Sequence, residues 1–128
     1  MSALPDLTGP TAYKVSIDLN TVGDTAVTIP NGARKWALRR TAVTNASTSL
    51  GASAAQLGVY TAAAAGGVAL VAPAVLTSLT GATIISDRTN VAVSTTVSTV
   101  YVRVTVAHGS AATADIYFYA DVLPTGIG

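Results

Sequence analysis

Apolar and polar residues alternate with a period of two along much of the chain, and the alternation is clearest near the C-terminal end. Every second residue from 100 to 106 is a valine, and in 113–122 apolar residues alternate with aspartate and tyrosine. This period is typical of strands with one buried face. The pattern predicts two strands, Thr99–Ala107 and Thr113–Val122, which the short loop 108–112 would join as a hairpin.

Pairing these two strands outward from the loop gives the predicted hairpin a definite register. Val104 then lies opposite Ile116 on the inner side. The outer side brings together four residues that form a candidate subunit interface: Tyr101, Arg103, Tyr117 and Tyr119. Tyrosine and arginine are enriched in the cores of protein interfaces. The alternative is a half-exposed sheet face that cross-strand pairs stabilise.

Shorter stretches of alternation predict further strands upstream. They fall at 13–19, 27–29, 33–47, 56–62, 68–72, 83–86 and 91–94. Consecutive Arg39 and Arg40 interrupt the phase of the third stretch and indicate a β-bulge. Gly66–Gly67 predicts a turn, and the spacing of leucines in Pro73–Gly81 would fit one or two helical turns. About eight strands with at most one short helix predict an all-β, two-sheet antiparallel sandwich, for which a jelly roll is the natural topology.

The 128 residues fit one domain with one hydrophobic core. We expect an N-terminal arm over residues 1–11, a single β-sandwich domain over residues 12–123 and a C-terminal tail over residues 124–128. Prolines at positions 5 and 10 limit the freedom of the arm and would lower the cost of ordering it on a partner.

Charge is scarce in this sequence. Only 10% of the residues are charged while 50% are hydrophobic, and every acidic residue is an aspartate. An average soluble domain carries roughly 25% charged residues. Because a weakly charged surface does little to keep copies apart, the composition indicates self-association into a homo-oligomer. The net charge of +1 argues against nucleic acid as a partner.

Cysteine is absent, so the chain has no disulfides or thiolate ligands. The first ten residues lack the basic and apolar regions of a secretory signal. No apolar run reaches the roughly 18 residues that a membrane helix needs, so we expect no membrane association.

Two groups of residues raise the question of catalysis or metal binding. His108 is the only histidine, with Ser110 and Asp115 near it in sequence, but a small turn does not orient an imidazole for a triad. Asp18, Asn20 and Asp24 resemble part of a calcium loop, yet their spacing does not match one and an Asx turn is the simpler interpretation. We expect no enzymatic activity, no small-molecule substrate and neither a cofactor nor a metal.

Four basic residues make the one concentration of charge, and we take them as a candidate partner-docking site: Arg34, Lys35, Arg39 and Arg40. They would dock on an acidic surface, or pair with Asp115 and Asp121 of a neighbouring subunit. The alternative is a solvated strand edge that charge keeps soluble.

Five short segments carry a resemblance to a known class of proteins, namely Thr44–Ser47, Gly58–Thr61, Gly66–Gly67, Thr99–Arg103 and Ala111–Tyr117. In this order they resemble small β-rich proteins from the structural gene regions of phages and prophages, over residues 33–123. The resemblance implies a virion protein of the capsid decoration, or head stabilisation, type, made in the cytoplasm of the bacterial host and often trimeric. Its partners would be itself and the major capsid protein or another virion protein, and it carries over no catalytic residue.

The alternative function is a glycan- or receptor-binding module of a phage tail or fibre. Exposed aromatic residues such as Trp36, Tyr60 and Tyr119 would then stack on sugar rings. Trp36 alternates in phase with Leu38, however, and this phase predicts that Trp36 belongs to the core.

Overall fold

Nine β-strands form the described part of the chain, and no helix occurs in it. The computed structural model describes residues 10–30, 34–77, 79–80, 85–88, 90–91 and 94–122, except for the side chains of residues 85–87. The strands are β1 (Ala12–Asp18), β2 (Gly23–Thr28), β3 (Trp36–Thr44), β4 (Gln56–Ala62), β5 (Gly66–Val75), β6 (Ile85–Arg88), β7 (Ser94–Thr95), β8 (Thr99–Val106) and β9 (Thr113–Val122). The prediction of an all-β fold is confirmed.

The strands form two antiparallel sheets. The first sheet has the order β1-β9-β3-β6, with the two-residue β7 also paired to β3, and the second sheet has the order β2-β8-β4-β5. Apart from the short β7, the strands pair from the ends of the chain inward: β1 with β9, β2 with β8, β3 with β6 and β4 with β5. This nested pairing is that of a long hairpin folded over on itself, which is the jelly-roll topology.

The predicted hairpin between β8 and β9 is wrong, because the two strands belong to different sheets. β8 pairs with β2 and β4, whereas β9 pairs with β1 and β3. The backbone of Leu19, in the β1–β2 connection, lies between their ends: its N–H donates to Ala112 at 2.9 Å and its carbonyl accepts from His108 at 2.8 Å. The connection 107–112 therefore crosses from one sheet to the other, so the predicted pair of Val104 with Ile116 does not form and Arg103 does not pair with Tyr117.

The core lies between the two sheets and includes most of the inner-face residues that alternation assigned in β8 and β9. Trp36 and Phe118 are the largest fully buried side chains, and Val100 and Val102 of β8 are also fully buried. The indole Nε1–H of Trp36 donates to the carbonyl of Val97 at 2.7 Å. A buried indole needs such a partner, so the prediction that Trp36 belongs to the core is confirmed.

One side of the sandwich is closed by contacts from β6 to β5. The Arg88 guanidinium donates to the carbonyls of Ala74 and Val75 at 2.9 and 3.2 Å, and Asn90 forms a bridge with Val71. Burial lowers the pKa of Arg88 from its ordinary value, because desolvation disfavours the charged form. Arg88 and Asn90 thus connect the edge of the first sheet to the edge of the second.

Two local predictions in the β4–β5 region need correction. The turn between these strands lies at Ala63–Ala65 and not at Gly66–Gly67, and Ala64 and Ala65 both have a positive φ, at 58° and 60°. The helical turn expected from Pro73 does not form in the described residues, since residues 73–75 continue β5 and are followed by a single turn in which the Leu79 N–H donates to Leu76.

Parts of the predicted domain organisation lie outside the described residues. These are residues 1–9 of the expected arm, the expected tail 124–128, and parts of the strands expected at 83–86 and 91–94. Thr11, expected in the arm, is attached to β9: its N–H donates to Phe118 at 2.7 Å, and its hydroxyl accepts from the Ala120 N–H at 2.9 Å. The domain boundaries stay predictions.

Candidate functional site

The outer face of the first sheet gathers three tyrosines and two arginines from three adjacent strands. We call this set the tyrosine–arginine face: Tyr13, Arg39, Arg40, Tyr117 and Tyr119. Tyr13 of β1 lies opposite Tyr117 of β9, and their rings stack with centroids 5.8 Å apart. Tyr13 is 59% exposed. The face therefore presents aromatic surface to the outside of the domain.

A β-bulge in β3 places both arginines beside one tyrosine ring. The register of β3 against β9 shifts between Leu38 and Arg40, so Arg39 is the extra residue. The guanidinium carbons of Arg39 and Arg40 lie 5.9 and 5.4 Å from the centroid of the Tyr119 ring. Such cation–π contacts are worth about 0.5–1 kcal/mol at exposed sites. The predicted bulge is confirmed, and it explains how two consecutive residues come to flank the same ring.

A shallow groove of about 230 Å³ lies within this face. It is lined by Pro10, Arg40, Ala42, Thr44, Tyr117 and Tyr119. Pockets for drug-sized ligands usually measure about 300–1,000 Å³. The groove is therefore small for such a ligand, and it is large enough to receive side chains from a partner surface.

The candidate subunit interface divides between the two sheets. Tyr117 and Tyr119 lie on the tyrosine–arginine face, whereas Tyr101 and Arg103 belong to β8 in the second sheet. Arg103 pairs with Asp24 across from it on β2, with 3.2 Å between Nη1 and Oδ1. The four residues thus do not form a single contact surface, because the hairpin that would have joined them does not exist.

The candidate docking cluster also divides. Arg39 and Arg40 join the tyrosine–arginine face, while Arg34 and Lys35 are exposed and precede β3. Arg39 and Arg40 are exposed and lie between the part of β3 that pairs with β7, which ends at Ala37, and the part that pairs with β6, which begins at Thr41, so the solvated strand edge stays an alternative for them. Sequence alone assigned the arginines and the tyrosines to separate sites, and the pairing of β3 with β9 brings them together.

The two aspartates expected to meet these arginines from a neighbouring subunit have partners in their own chain. Asp121 is exposed and lies 3.3 Å from the Nε of Arg39. Asp115 is only 8% exposed, and its carboxylate accepts from the Ser16 N–H at 2.8 Å and from Nδ2 of Asn45 at 3.0 Å. Asp115 is therefore not available to a second subunit.

Asp115 fixes an unusual backbone conformation on both of its neighbouring strands. Ser16 on β1 and Asn45 just after β3 each have a φ of 56°. A left-handed conformation is costly for a residue with a side chain, and a charge-assisted hydrogen bond offsets part of that cost. The sequence holds no local signal of this role, because Ser16 and Asn45 are 99 and 70 residues away from Asp115.

His108 has a partner that its neighbours in sequence did not suggest. Its Nδ1 lies 2.6 Å from the hydroxyl of Ser53, which is buried and also accepts from the Ala55 N–H at 3.0 Å. Neither Ser110 nor Asp115 is the partner of its ring. The pair connects the β3–β4 loop to the β8–β9 loop.

The residues considered as a calcium loop have other partners. Asp18 accepts from the Asn20 N–H at 2.8 Å, which is the Asx turn expected as the simpler interpretation. Asp24 pairs with Arg103 and accepts from the Ala64 N–H. Within the described ranges, no three His, Cys, Asp or Glu side chains come together in a group able to hold a metal ion.

Two of the three aromatic residues considered for glycan stacking are buried. Trp36 is fully buried and Tyr60 is also inaccessible. The third, Tyr119, has two guanidinium groups of its own chain near its ring. Of the three residues, only Tyr119 is partly exposed, and it lines the groove of the tyrosine–arginine face.

No protein-family model matches the chain, and comparison with curated proteins and with solved structures finds no significant match. In the residues that the structure describes, no helix is long and apolar enough to span a bilayer.

Proposed function

We propose that this chain is a non-enzymatic structural protein of a bacteriophage virion, of the capsid decoration type, which acts through self-association and contact with the shell. The observation that carries the proposal is the tyrosine–arginine face. It combines aromatic side chains of β1 and β9, of which Tyr13 is exposed, with two guanidinium groups of β3, on three adjacent strands of one sheet. Tyrosine and arginine are the residue types that dominate binding energy at protein interfaces.

The distribution of charge supports an interaction role. Charged residues are few, and several of them have structural partners: Asp24 pairs with Arg103, Asp115 is buried in hydrogen bonds, and Arg88 donates to β5. The number of charged side chains that the surface presents to solvent is therefore even smaller than the composition indicates. A surface of this kind favours contact with other protein surfaces over repulsion between copies.

The virion setting rests on the resemblance of the sequence segments to phage structural proteins. The fold is compatible with it, because jelly rolls occur in viral capsid proteins, but they occur also in lectins and cupins. A fold does not by itself imply a function. The partners that the proposal names are further copies of this chain and the major capsid protein or another virion protein.

Mass spectrometry of purified particles tests the virion setting directly. Particles would be induced from the strain that encodes the chain and purified on a density gradient. The proposal expects the protein in the particles at a fixed copy number relative to the major capsid protein. Its absence from intact particles, while it is present in the lysate, would contradict the proposal.

A further inference from the structure

Arg39 of the tyrosine–arginine face forms an exposed ion pair with Asp121, which lies on β9 two residues after Tyr119. Their side chains are 46% and 61% exposed, and the atoms Nε and Oδ1 lie 3.3 Å apart. A pair so exposed contributes only about 0–1 kcal/mol to the stability of its own chain. The two side chains are therefore weakly bound to each other, and Arg39 of one molecule is able to pair with Asp121 of another instead.

The ion pair on the opposite sheet differs in this respect. The side chains of Arg103 and Asp24 are only 24% and 20% exposed, and Asp24 has a second partner in the Ala64 N–H. This pair is anchored in its own domain. The N···O distances of the two pairs are similar, at 3.2 and 3.3 Å, so the contrast comes from exposure and from the additional hydrogen bond.

Association through the free edge of β1 is disfavoured. Lys14 lies on this edge strand, and the register of β1 shifts between Lys14 and Ile17, with Ser16 at a positive φ. A lysine and a bulge are features that protect an edge from pairing with another strand. The outer face of the sheet is therefore the favoured contact surface. Tyr13 and Val15 of the edge strand β1 are both exposed and extend the apolar part of this surface.

A face that carries both a cation and an anion is able to bind a copy of itself. In a two-fold interface residue i of one copy contacts residue j of the other, and the reverse contact forms by symmetry. We infer that the tyrosine–arginine face binds the same face of a second copy of this chain about a two-fold axis, and that Arg39 of each copy pairs with Asp121 of the other. This inference rests on the proposed self-association and names the partner and the pairing.

Two charge reversals and their mixture test the exchange. Arg39→Asp and Asp121→Arg each leave two like charges at the pair, so each variant alone is expected to lose self-association by at least about tenfold in Kd. In an equimolar mixture, the carboxylate introduced at position 39 of one variant meets the guanidinium introduced at position 121 of the other. The unchanged Arg39 of the Asp121→Arg variant and the unchanged Asp121 of the Arg39→Asp variant form the second pair. The mixture is expected to recover association as a mixed dimer with one copy of each variant.

Two further variants serve as controls in the same measurements of mass by light scattering or sedimentation. Arg103→Asp breaks the corresponding ion pair on the opposite sheet and is expected to leave association unchanged. The double variant Arg39→Asp with Asp121→Arg restores opposite charges and is expected to associate like the original chain, which shows that the changes are compatible with folding. Circular dichroism checks that each variant keeps its β-sheet spectrum.

The outcomes separate the inference from the proposed function. If the unaltered chain is monomeric at every concentration, self-association fails and the inference fails with it. If it associates while Arg39→Asp and Asp121→Arg associate equally well, only the inference is overturned. If both single variants dissociate and their mixture does not recover, the pair acts within one copy and the exchange is wrong.

Discussion

Replacing Asp115 by alanine is expected to destabilise the domain more than the loss of any exposed aspartate. The buried carboxylate accepts hydrogen bonds from Ser16 and Asn45, at 2.8 and 3.0 Å. Hydrogen bonds to a charged group contribute about 1.5–3 kcal/mol each, but the Ser16 backbone is exposed and water replaces part of what it loses. We therefore expect the free energy of unfolding to fall by about 3 kcal/mol, a large part of the 5–15 kcal/mol typical of a domain.

Urea unfolding followed by circular dichroism measures this loss, with all variants at one protein concentration because association also shifts stability. Asp18→Ala is the matched control, since Asp18 is exposed and accepts a single hydrogen bond from the Asn20 N–H at 2.8 Å. It is expected to lose about 0.5–1 kcal/mol. Asp115→Asn keeps one carbonyl oxygen as an acceptor and is expected to fall between the two.

The melting temperature gives an independent reading of the same change. A loss of 1 kcal/mol lowers the melting temperature of a domain of this size by roughly 4 °C, so Asp115→Ala is expected to melt about 12 °C lower. If Asp115→Ala were no less stable than Asp18→Ala, then Asp115 would not hold Ser16 and Asn45 in place, and the reasoning would be refuted.

Two further stability predictions concern the loops. Ser53→Ala removes the 2.6 Å contact with His108, and we expect a double-mutant cycle with His108→Ala to give a coupling of about 1 kcal/mol; additive losses would mean that the contact contributes nothing. Ala64→Gly relieves a positive φ that costs an L-residue roughly 1–2 kcal/mol, and the gain in chain entropy of the unfolded state offsets about 0.4–1 kcal/mol of it. Thermal melting should show a net gain of about 0.5–1 kcal/mol for Ala64→Gly and a loss for the control Ala62→Gly in β4; a loss for both would contradict the assigned conformation.

Alternation predicted the inner faces of β8 and β9 well, because burial of one face imposes a period of two, but it failed in β1, where the irregularity between Lys14 and Ile17 leaves Tyr13 and Val15 exposed while Ile17 is buried. Val100, Val102 and Phe118 are all fully buried, as the pattern predicted. The bulge in β3 was also predictable, because two adjacent arginines cannot both follow the alternation. These features depend on residues close together in the sequence.

The pairing of strands depends on distant residues and was not predictable in the same way. A five-residue loop suits a hairpin, yet the β1–β2 connection takes the position between the ends of β8 and β9. The residues of the loop carry no signal that Leu19 of the β1–β2 connection will form hydrogen bonds with both of its ends. The error in pairing then moved Tyr117 and Tyr119 to the wrong neighbours and separated them from Arg39 and Arg40, which the register of β3 with β9 places beside them.

The turn at Ala63–Ala65 shows a second limit of local reasoning. Glycine is the usual residue at a positive φ, so Gly66–Gly67 was the reasonable choice for the turn. Gly67 has a positive φ of 65° but lies in β5; in the turn itself Ala64 and Ala65 adopt that conformation, and the Asp24 carboxylate supports it by accepting from the Ala64 N–H at 2.9 Å. A contact from β2, 40 residues away, thus overrides the local preference.

The mass of the purified chain in solution, with two matched tyrosine variants, tests the proposed self-association most directly. Multi-angle light scattering is expected to give a multiple of 12.8 kDa for the unaltered chain and for Tyr101→Asp, which changes the second sheet. Tyr119→Asp places a charge at the centre of the tyrosine–arginine face and is expected to give 12.8 kDa with an unchanged β-sheet spectrum. A mass of 12.8 kDa for the unaltered chain at every concentration, or association of Tyr119→Asp equal to that of Tyr101→Asp, would contradict the account.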